Sequence, residues 1–526
     1  MISWKNEWSE QVRSRITKTE INGKKICVYK DMEKSPYYGF CAAAEKFPDK
    51  TAIVNDEENT LSYQELLVKI DRTAGFLRKK WNIKKGDHIG LLLYNGIPFC
   101  VYYLALNKLG AVTVPIPGKF KKDEILSLAE KAEIKAVVCE KKFQAWMDEA
   151  EIDTWLPEME VPDCIDSQEE AEEAELEDGA ILMFTSGTTS HSKGVLMKNY
   201  HVMNSVEAYI ETLKLNETDR SLIATPMYHV TGMICILTVF LTAGGTVYLM
   251  KKVDGKKMVA CFVEHEITFY HASPTVFSIL LDEMKTSPKI PSMKGFACGS
   301  GNMPPENICR LKEWMPQAKF HTVYGMTETS GAGTIFPEGA ADSQWIGSSG
   351  VPMPDLEVRI MSDEEKELGA GQIGEICLKG SFVLDEYYKQ ETDLFTEDGW
   401  LKTGDLGYTN EAGYLYVVDR KKDMINRGGE KICSFDIENV LHEIQGIAEA
   451  AVVGVPDKKY MEVPAALVRL ENGAELSADE IKEILKEKIA KFKIPVYIEF
   501  TNEIPKTHNG KIDKRVIRTT FFGAYL

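Results

Sequence analysis

Three features of the sequence predict an α/β protein that ends in two smaller units. Helical patterns such as "SYQELLVKIDRTAGFLRKKW" alternate with short apolar runs such as "HIGLLLY" and "AVTVPI", which argues for helices layered on largely parallel sheets. After about residue 350 the texture changes to short Gly-punctuated strands, "LEVRIM", "IGEICLKG" and "GYLYVVD", as in a small β-barrel. From near residue 421, "FDIENVLHEI", "IAEAAVVGV", "AALVRL" and "ADEIKEILKEKIA" compose a compact α+β unit of about one hundred residues.

Each element along the chain has its own warrant. The opening "MISWKNEWSEQVRSR" mixes both charge signs with tryptophans and lacks the apolar segment of a secretory signal. Helices are expected ahead of strands at residues 97–116 and 256–281. The acidic run "DSQEEAEEAELED" (166–178) reads as a solvated connector. Residues 230–250 run 21 residues without a charge, yet Gly244-Gly245 followed by "TVYLM" points to a buried helix, a turn and a buried strand, so no transmembrane segment is expected.

Composition narrows the function. With 526 residues, 44% of them apolar, the chain can bury real cores. A formal charge of −18 opposes a nonspecific hold on nucleic acid or anionic lipid, so any anionic ligand must meet local cations or a metal ion. Eleven cysteines are scattered without C-x-x-C spacing, which fits free thiols in a reducing cytoplasm, the expected location.

One loop is chemically conspicuous. "MFTSGTTSHSKGV" (183–195) gathers three threonines, three serines and two glycines around one lysine, between an apolar strand and a second short strand. Gly187 and Gly194 let main-chain N–H groups turn inward, Thr185, Ser186, Thr188 and Thr189 add hydroxyls, and Lys193 adds charge. Such a loop suits a polyphosphate, and a solvated Ser/Thr/Gly turn is the plain alternative. A Walker-type loop fits poorly, because no glycine precedes Lys193 and a strand follows it.

Five further motifs stand behind the loop: "PMYHVTG" (226–232), "YGMTE" (324–328), "GWLKTGDLG" (399–407), "DRKKDMINRGGEKI" (419–432) and "PKTHNGKIDK" (505–514). In order and spacing the set resembles the signature motifs of the adenylate-forming superfamily, which includes acyl- and aryl-CoA synthetases, over nearly the whole chain. The resemblance implies a large AMP-binding domain over 1–420, with two layered α/β subdomains and the β-barrel, and a small mobile α+β domain over 421–526 carrying the catalytic lysine. It also implies an ATP- and Mg²⁺-dependent ligase that adenylates a carboxylic acid, releases pyrophosphate and passes the acyl group to coenzyme A.

The same resemblance implies the residue roles. Thr185, Ser186, Gly187, Thr188, Thr189 and Lys193 cradle the β- and γ-phosphates. Glu328 is the magnesium ligand, a hard oxygen donor, Thr327 bonds the α-phosphate, and Tyr324 borders the adenine. Asp405 accepts both ribose hydroxyls, with Arg420 reaching the sugar or phosphate. Lys511 bridges the attacking carboxylate and the α-phosphate. Lys422 is the hinge, about which rotation brings Gly428 and Gly429 to the site as a channel for the pantetheine arm. His229 at the pocket mouth, with Gly299, Ser300, Gly331 and Ala332 leaving room for a ring or a moderate chain, forms the acyl pocket.

Departures from the family pattern sit at Ser190, where glycine is usual, at Ser192, where proline is usual, and at Ser434, where many members have proline. His229 occupies the position at which amino-acid-activating relatives carry an aspartate, so an ammonium-bearing substrate would lack its counter-charge. No arginine lies in the pocket segments for a second carboxylate. The substrate expected is therefore a medium-chain or aromatic monocarboxylic acid. A stand-alone enzyme loading a carrier protein is the near alternative. A non-catalytic acyl-nucleotide-binding protein would be expected to have lost Glu328 or Lys511, and both are present. A homo-oligomer is compatible with the sequence.

Overall fold

The computed structural model describes residues 2–525 apart from 4–7, 22, 158–169, 186–192, 472 and 508–510. Among the described residues, two layered sheets build the large domain. One has the order Gly194–Lys198, Gly179–Phe184, Val112–Pro115, His88–Leu92, Ala136–Cys139, Asp153–Trp155. The other runs Val351–Pro352, Gly333–Ile335, Lys319–Gly325, Gly295–Cys298, Phe269–Ala272, Arg220–Ile223, Thr246–Leu249, Thr51–Asn55, Thr60–Ser62. Their central strands are parallel and buried on both faces, which is why they read as continuous apolar runs without alternation.

Local sequence explains the helices between them. Tyr63–Trp81 starts at a reciprocal cap, in which the Glu65 side chain accepts the Ser62 N–H at 2.7 Å and Ser62 Oγ accepts the Glu65 N–H at 3.2 Å. It stops where Asn82 turns left-handed at φ 46°. The apolar run at 230–250 is the expected buried helix, turn and strand, but its helix Thr231–Thr238 is a π-helix. Thr238 Oγ1 donates to Met233 O, five residues back, at 2.8 Å, and so supports the wider turn. Among the described residues no helix is long and apolar enough to cross a membrane.

One expectation needs correction. The described part of the acidic run is docked and does not float in solvent: Glu172 N–H bonds Lys108 O at 3.0 Å, its carboxylate meets Arg78 at 2.7 Å, and Lys85 holds Asp178 at 2.7 Å. Its carboxylates are received by Arg78 of the helix Tyr63–Trp81 and by Lys85 of the turn that follows it. The β-rich unit pairs as an open antiparallel path, Ile2–Ser3, Glu357–Met361, Gly374–Lys379, Leu401–Thr409, Leu415–Arg420, without a ring-closing pair among the described residues. Closure is unnecessary because Val358, Ile360, Ile376 and Leu378 bury their face in the large domain's core.

The last unit has cores of its own, around Ile437, Leu441, Val452 and Val468 and around Val453, Leu467 and Ile517. It sits against the large domain through Asn302 Nδ2 donating to Asn439 Oδ1 at 2.8 Å, Arg310–Glu471 at 3.6 Å and Arg469–Asp282 at 3.8 Å.

The hairpin of Lys319–Gly325 with Gly333–Ile335 holds the "YGMTE" turn. A Cβ on Gly333 would overlap the Tyr324 carbonyl oxygen. Gly333→Ala is therefore expected to cost about 1–3 kcal/mol, read as a lowered unfolding midpoint, whereas Gly523→Ala, which meets nothing within 4 Å, should leave it unmoved.

Candidate active site

Four neighbouring strands, Arg220–Ile223, Phe269–Ala272, Gly295–Cys298 and Lys319–Gly325, run parallel and end on one edge. Their following turns carry His229, Ser273, Gly299 with Ser300, and Thr327 with Glu328. Motifs up to about a hundred residues apart thus meet in one crevice at the carboxyl ends of a sheet, where ligands of open α/β folds bind.

Thr185 closes the conspicuous loop, its N–H bonding Lys193 O at 2.9 Å beyond the antiparallel pair Phe184–Gly194. Ser186, Gly187, Thr188 and Thr189, with Ser190 and Ser192, lie outside the described residues. Lys193 Nζ stands 4.7 Å over the ring of Tyr387, and the Tyr387 hydroxyl donates to Glu328 Oε1 at 2.8 Å. Glu328 is 8% exposed, so its carboxylate is aimed and not free to wander. Burial first and the Glu328 charge second push the Tyr387 phenol well up, which keeps it a donor.

Tyr387 is absent from every sequence motif. It reaches the site because Val195 bridges it and Tyr388 N–H bonds Gly194 O at 2.8 Å, strapping this segment to the strand after the loop. Tyr387→Phe keeps the ring over Lys193 and removes the hydroxyl. An about tenfold loss in ATP-dependent turnover is expected, the scale of one hydrogen bond to a charged group, with Tyr387→Ala losing more; equal activity of all three proteins would show the contact to be idle.

Around the nucleotide motifs the pairing is direct. Tyr324 donates to Asp405 Oδ2 at 2.8 Å, and Arg420 Nε lies 3.6 Å from Asp405 Oδ1, across the register pair Asp405–Arg420. Burial pushes the Asp405 carboxyl up, against the pull of Arg420, Tyr324 and Lys511. Lys511 comes in from the last unit, its backbone O accepting the Thr507 N–H at 2.7 Å. Burial, and then Arg420, lower the Lys511 pKa, while the charges of Asp405 and Glu328 raise it. Thr327 opens the short turn Thr327–Thr329 beside Glu328.

A cavity of about 380 Å³ lies here, with Lys193, Glu328, Tyr387, Glu375, Lys402 and Lys421 among its walls. Sequence reasoning gave the last three no role: Lys402 and Lys421 lie inside the motifs at 399–407 and 419–432, and Glu375 lies outside all of them. Glu328 shares this cavity with two other carboxylates, Glu375 and Asp393, and among the described residues no group of three or more His, Cys, Asp or Glu could enclose a metal. That fits Mg²⁺, which keeps waters and phosphate oxygens in its shell and needs few protein ligands.

The remaining expectations divide. Lys422 is exposed in the turn between Leu415–Arg420 and Ile425–Arg427. Gly428 (φ 61°) and Gly429 (φ 98°) form an exposed hairpin turn; like Asp405 and Lys511, they are not among the residues that line the cavity. His229 is partly buried, its ring 4.6 Å from that of Tyr228. The room expected beside Gly331 and Ala332 is filled: a Cβ on Gly331 would overlap Cys235 Sγ and come within 3.1 Å of Val230 Cγ2, and Ala332 is fully buried. Glycine is needed there for close approach of the π-helix and for φ +83°.

The chain matches the AMP-binding enzyme family over residues 40–388 and the AMP-binding enzyme C-terminal domain over residues 436–511. It is 31% identical over 477 residues to the 2-succinylbenzoate–CoA ligase of Bacillus licheniformis, covering 89% of this chain and 96% of that one. It is 30% identical over 485 residues to the feruloyl-CoA synthase of an Amycolatopsis species, covering 91% and 97%. Among solved structures, ATP-bound MatB from Rhodopseudomonas palustris superposes with a TM-score of 0.84 at 26% identity, over 94% of this chain and all, 100%, of that one.

Proposed function

We propose, for a chain that belongs to the AMP-binding enzyme family and is an AMP-forming acid–thiol ligase, that its substrate is a neutral-tailed monocarboxylic acid and its acceptor coenzyme A. The observation that carries the ligase chemistry is that Lys511, on the last unit, lies within electrostatic reach of Asp405 and Glu328 on the large one. A carboxylate oxygen attacks the α-phosphorus of ATP, the bond to the bridging oxygen breaks, and pyrophosphate leaves. The thiol sulfur then attacks the acyl carbonyl and AMP departs. Both partners of the first step are anions, so catalysis is charge neutralisation and alignment.

In this reading Asp405 takes the ribose hydroxyls, Thr327 the α-phosphate, and Lys511 holds carboxylate and phosphate together. Glu328, aimed by Tyr387, would hold Mg²⁺, which when bound neutralises phosphate charge. Lys193 and the hydroxyl loop take the leaving pyrophosphate. Apolar flanks around His229 and the absence of arginine from the pocket segments support a neutral tail, since each buried methylene contributes about 0.8 kcal/mol.

The test is pyrophosphate release and thioester formation across acetate, hexanoate, octanoate, benzoate, a phenylpropanoate, succinate and alanine, with coenzyme A and with a carrier protein. A hexanoate-to-phenylpropanoate optimum with coenzyme A is expected; succinate or alanine leading would end the neutral-tail reading, and carrier-only transfer the coenzyme A reading. Gly429→Leu is expected to slow the thioester step more than adenylation, and equal slowing would remove that loop from the thiol path.

A further inference from the structure

Behind Gly299 lies a histidine outside all the motifs. His271 is the third residue of Phe269–Ala272, in register with Ala297 of the next strand, and it faces Tyr209, ring centroids 5.9 Å apart. It is 3% exposed, and its Nδ1 has no hydrogen-bond partner among the described residues. Its Nε2 points past Gly299, 3.6 Å from where a Cβ there would sit. The surroundings offer little relief: the Tyr209 hydroxyl is committed to Gly331 O at 2.8 Å, and Val323 O and Cβ lie 3.3 and 3.7 Å from where a Cβ on Gly299 would sit. A buried polar ring without a partner is costly and asks for an explanation.

We propose that His271 is the specificity-determining residue of the acyl pocket, where its Nε2, the nitrogen on the Gly299 side, hydrogen-bonds an uncharged polar substituent, a hydroxyl or a carbonyl, on the tail of the acid. The assignment rests on the ligase reading above and sharpens its substrate class. A neutral imidazole carries one N–H donor and one acceptor nitrogen, which suits a hydroxyl on both counts and a carbonyl on one. Burial pushes the His271 pKa down to about 3, so the ring offers no charge to a second carboxylate and no anion to an ammonium. One polar point in an otherwise apolar wall fixes the orientation of the tail.

The experiment compares kcat/KM for acid-dependent pyrophosphate release within matched pairs: benzoate with 3- and 4-hydroxybenzoate, cinnamate with 4-hydroxycinnamate, and octanoate with hydroxy- and oxo-octanoates substituted stepwise along the chain. The wild type is expected to favour one substituted acid over its parent by at least about tenfold, the scale of one buried hydrogen bond. His271→Leu should bring that ratio near one, mainly through KM, and His271→Gln should restore part of it. Gly299→Ala, which sets a methyl before Nε2, should also reduce the ratio and serves if His271→Leu does not fold. Parent acids preferred throughout by the wild type, or ratios unchanged in every variant, would overturn the assignment. Pyrophosphate release with none of the acids would instead sink the ligase reading beneath it.

Discussion

Lys511→Ala is expected to slow adenylate formation at least about 10²-fold, the scale for losing one electrostatic stabiliser, while thioester formation from supplied acyl-adenylate largely survives. The lysine stands among Asp405, Glu328 and Arg420, where the attacking carboxylate and the α-phosphate bring further negative charge together. Its pKa is lowered by burial, so the ammonium is lost at lower pH than on an ordinary lysine. Wild-type adenylation should accordingly decline on the alkaline side, and the residual rate of the variant should not share that decline. If both half-reactions fall together, the division of labour between Lys511 and the glycine loop is wrong for this chain.

Lys514→Met, three residues on, is expected to cost about 3–5 kcal/mol of folding stability, the scale for breaking a buried ion pair. Lys514 Nζ lies 3.1 Å from Glu438 Oε1, the side chains 11% and 8% exposed, and it also bonds Ser434 Oγ. Ser434 in turn gives its N–H, at 2.8 Å, and its hydroxyl, at 2.6 Å, to Asp419 Oδ2. Removing the ammonium leaves two buried carboxylates, Asp419 and Glu438, without a cation between them. The serine that replaces a usual proline thus ties the strand before the hinge to the catalytic segment.

The pH dependence follows from the signs. Burial raises the Glu438 pKa despite Lys514, and a raised carboxyl is most stable in its folded site when protonated, so the deficit of the variant should shrink as pH falls. Lys514 is itself raised: burial lowers it, but Glu438, Asp419 and Asp423 together outweigh that. The wild-type advantage is therefore present below the ordinary lysine pKa and fades as pH rises through the raised one. Unfolding midpoints across pH check both trends, and Lys514→Met with Glu438→Gln should recover stability. A small loss without pH dependence would show that water already reaches the cluster.

Much of the molecule was legible locally. The alternation of helices and apolar strands, the strand-turn-strand around Lys193, the capped helix at Tyr63–Trp81 and the buried run at 230–250 follow from periodicity, caps and glycines, which act within a few residues. The motif order also carried the family. Lys511 and Asp405, 106 positions apart by their numbering, could be paired only through that resemblance.

What the sequence determined by itself was the kind of layers and the chemical types gathered in each turn. The tertiary structure alone decided which of those turns share a crevice, that Tyr387 aims Glu328, that Cys235 occupies the space beside Gly331, that Lys514 closes a buried cluster with Ser434 and Glu438, and that His271 stands behind Gly299. Tyr387 and Glu328 are 59 residues apart and Lys514 and Ser434 80. No periodicity spans such separations; the parallel register of the strands and the docking of the last unit set them, and close packing makes each of those neighbours exclusive.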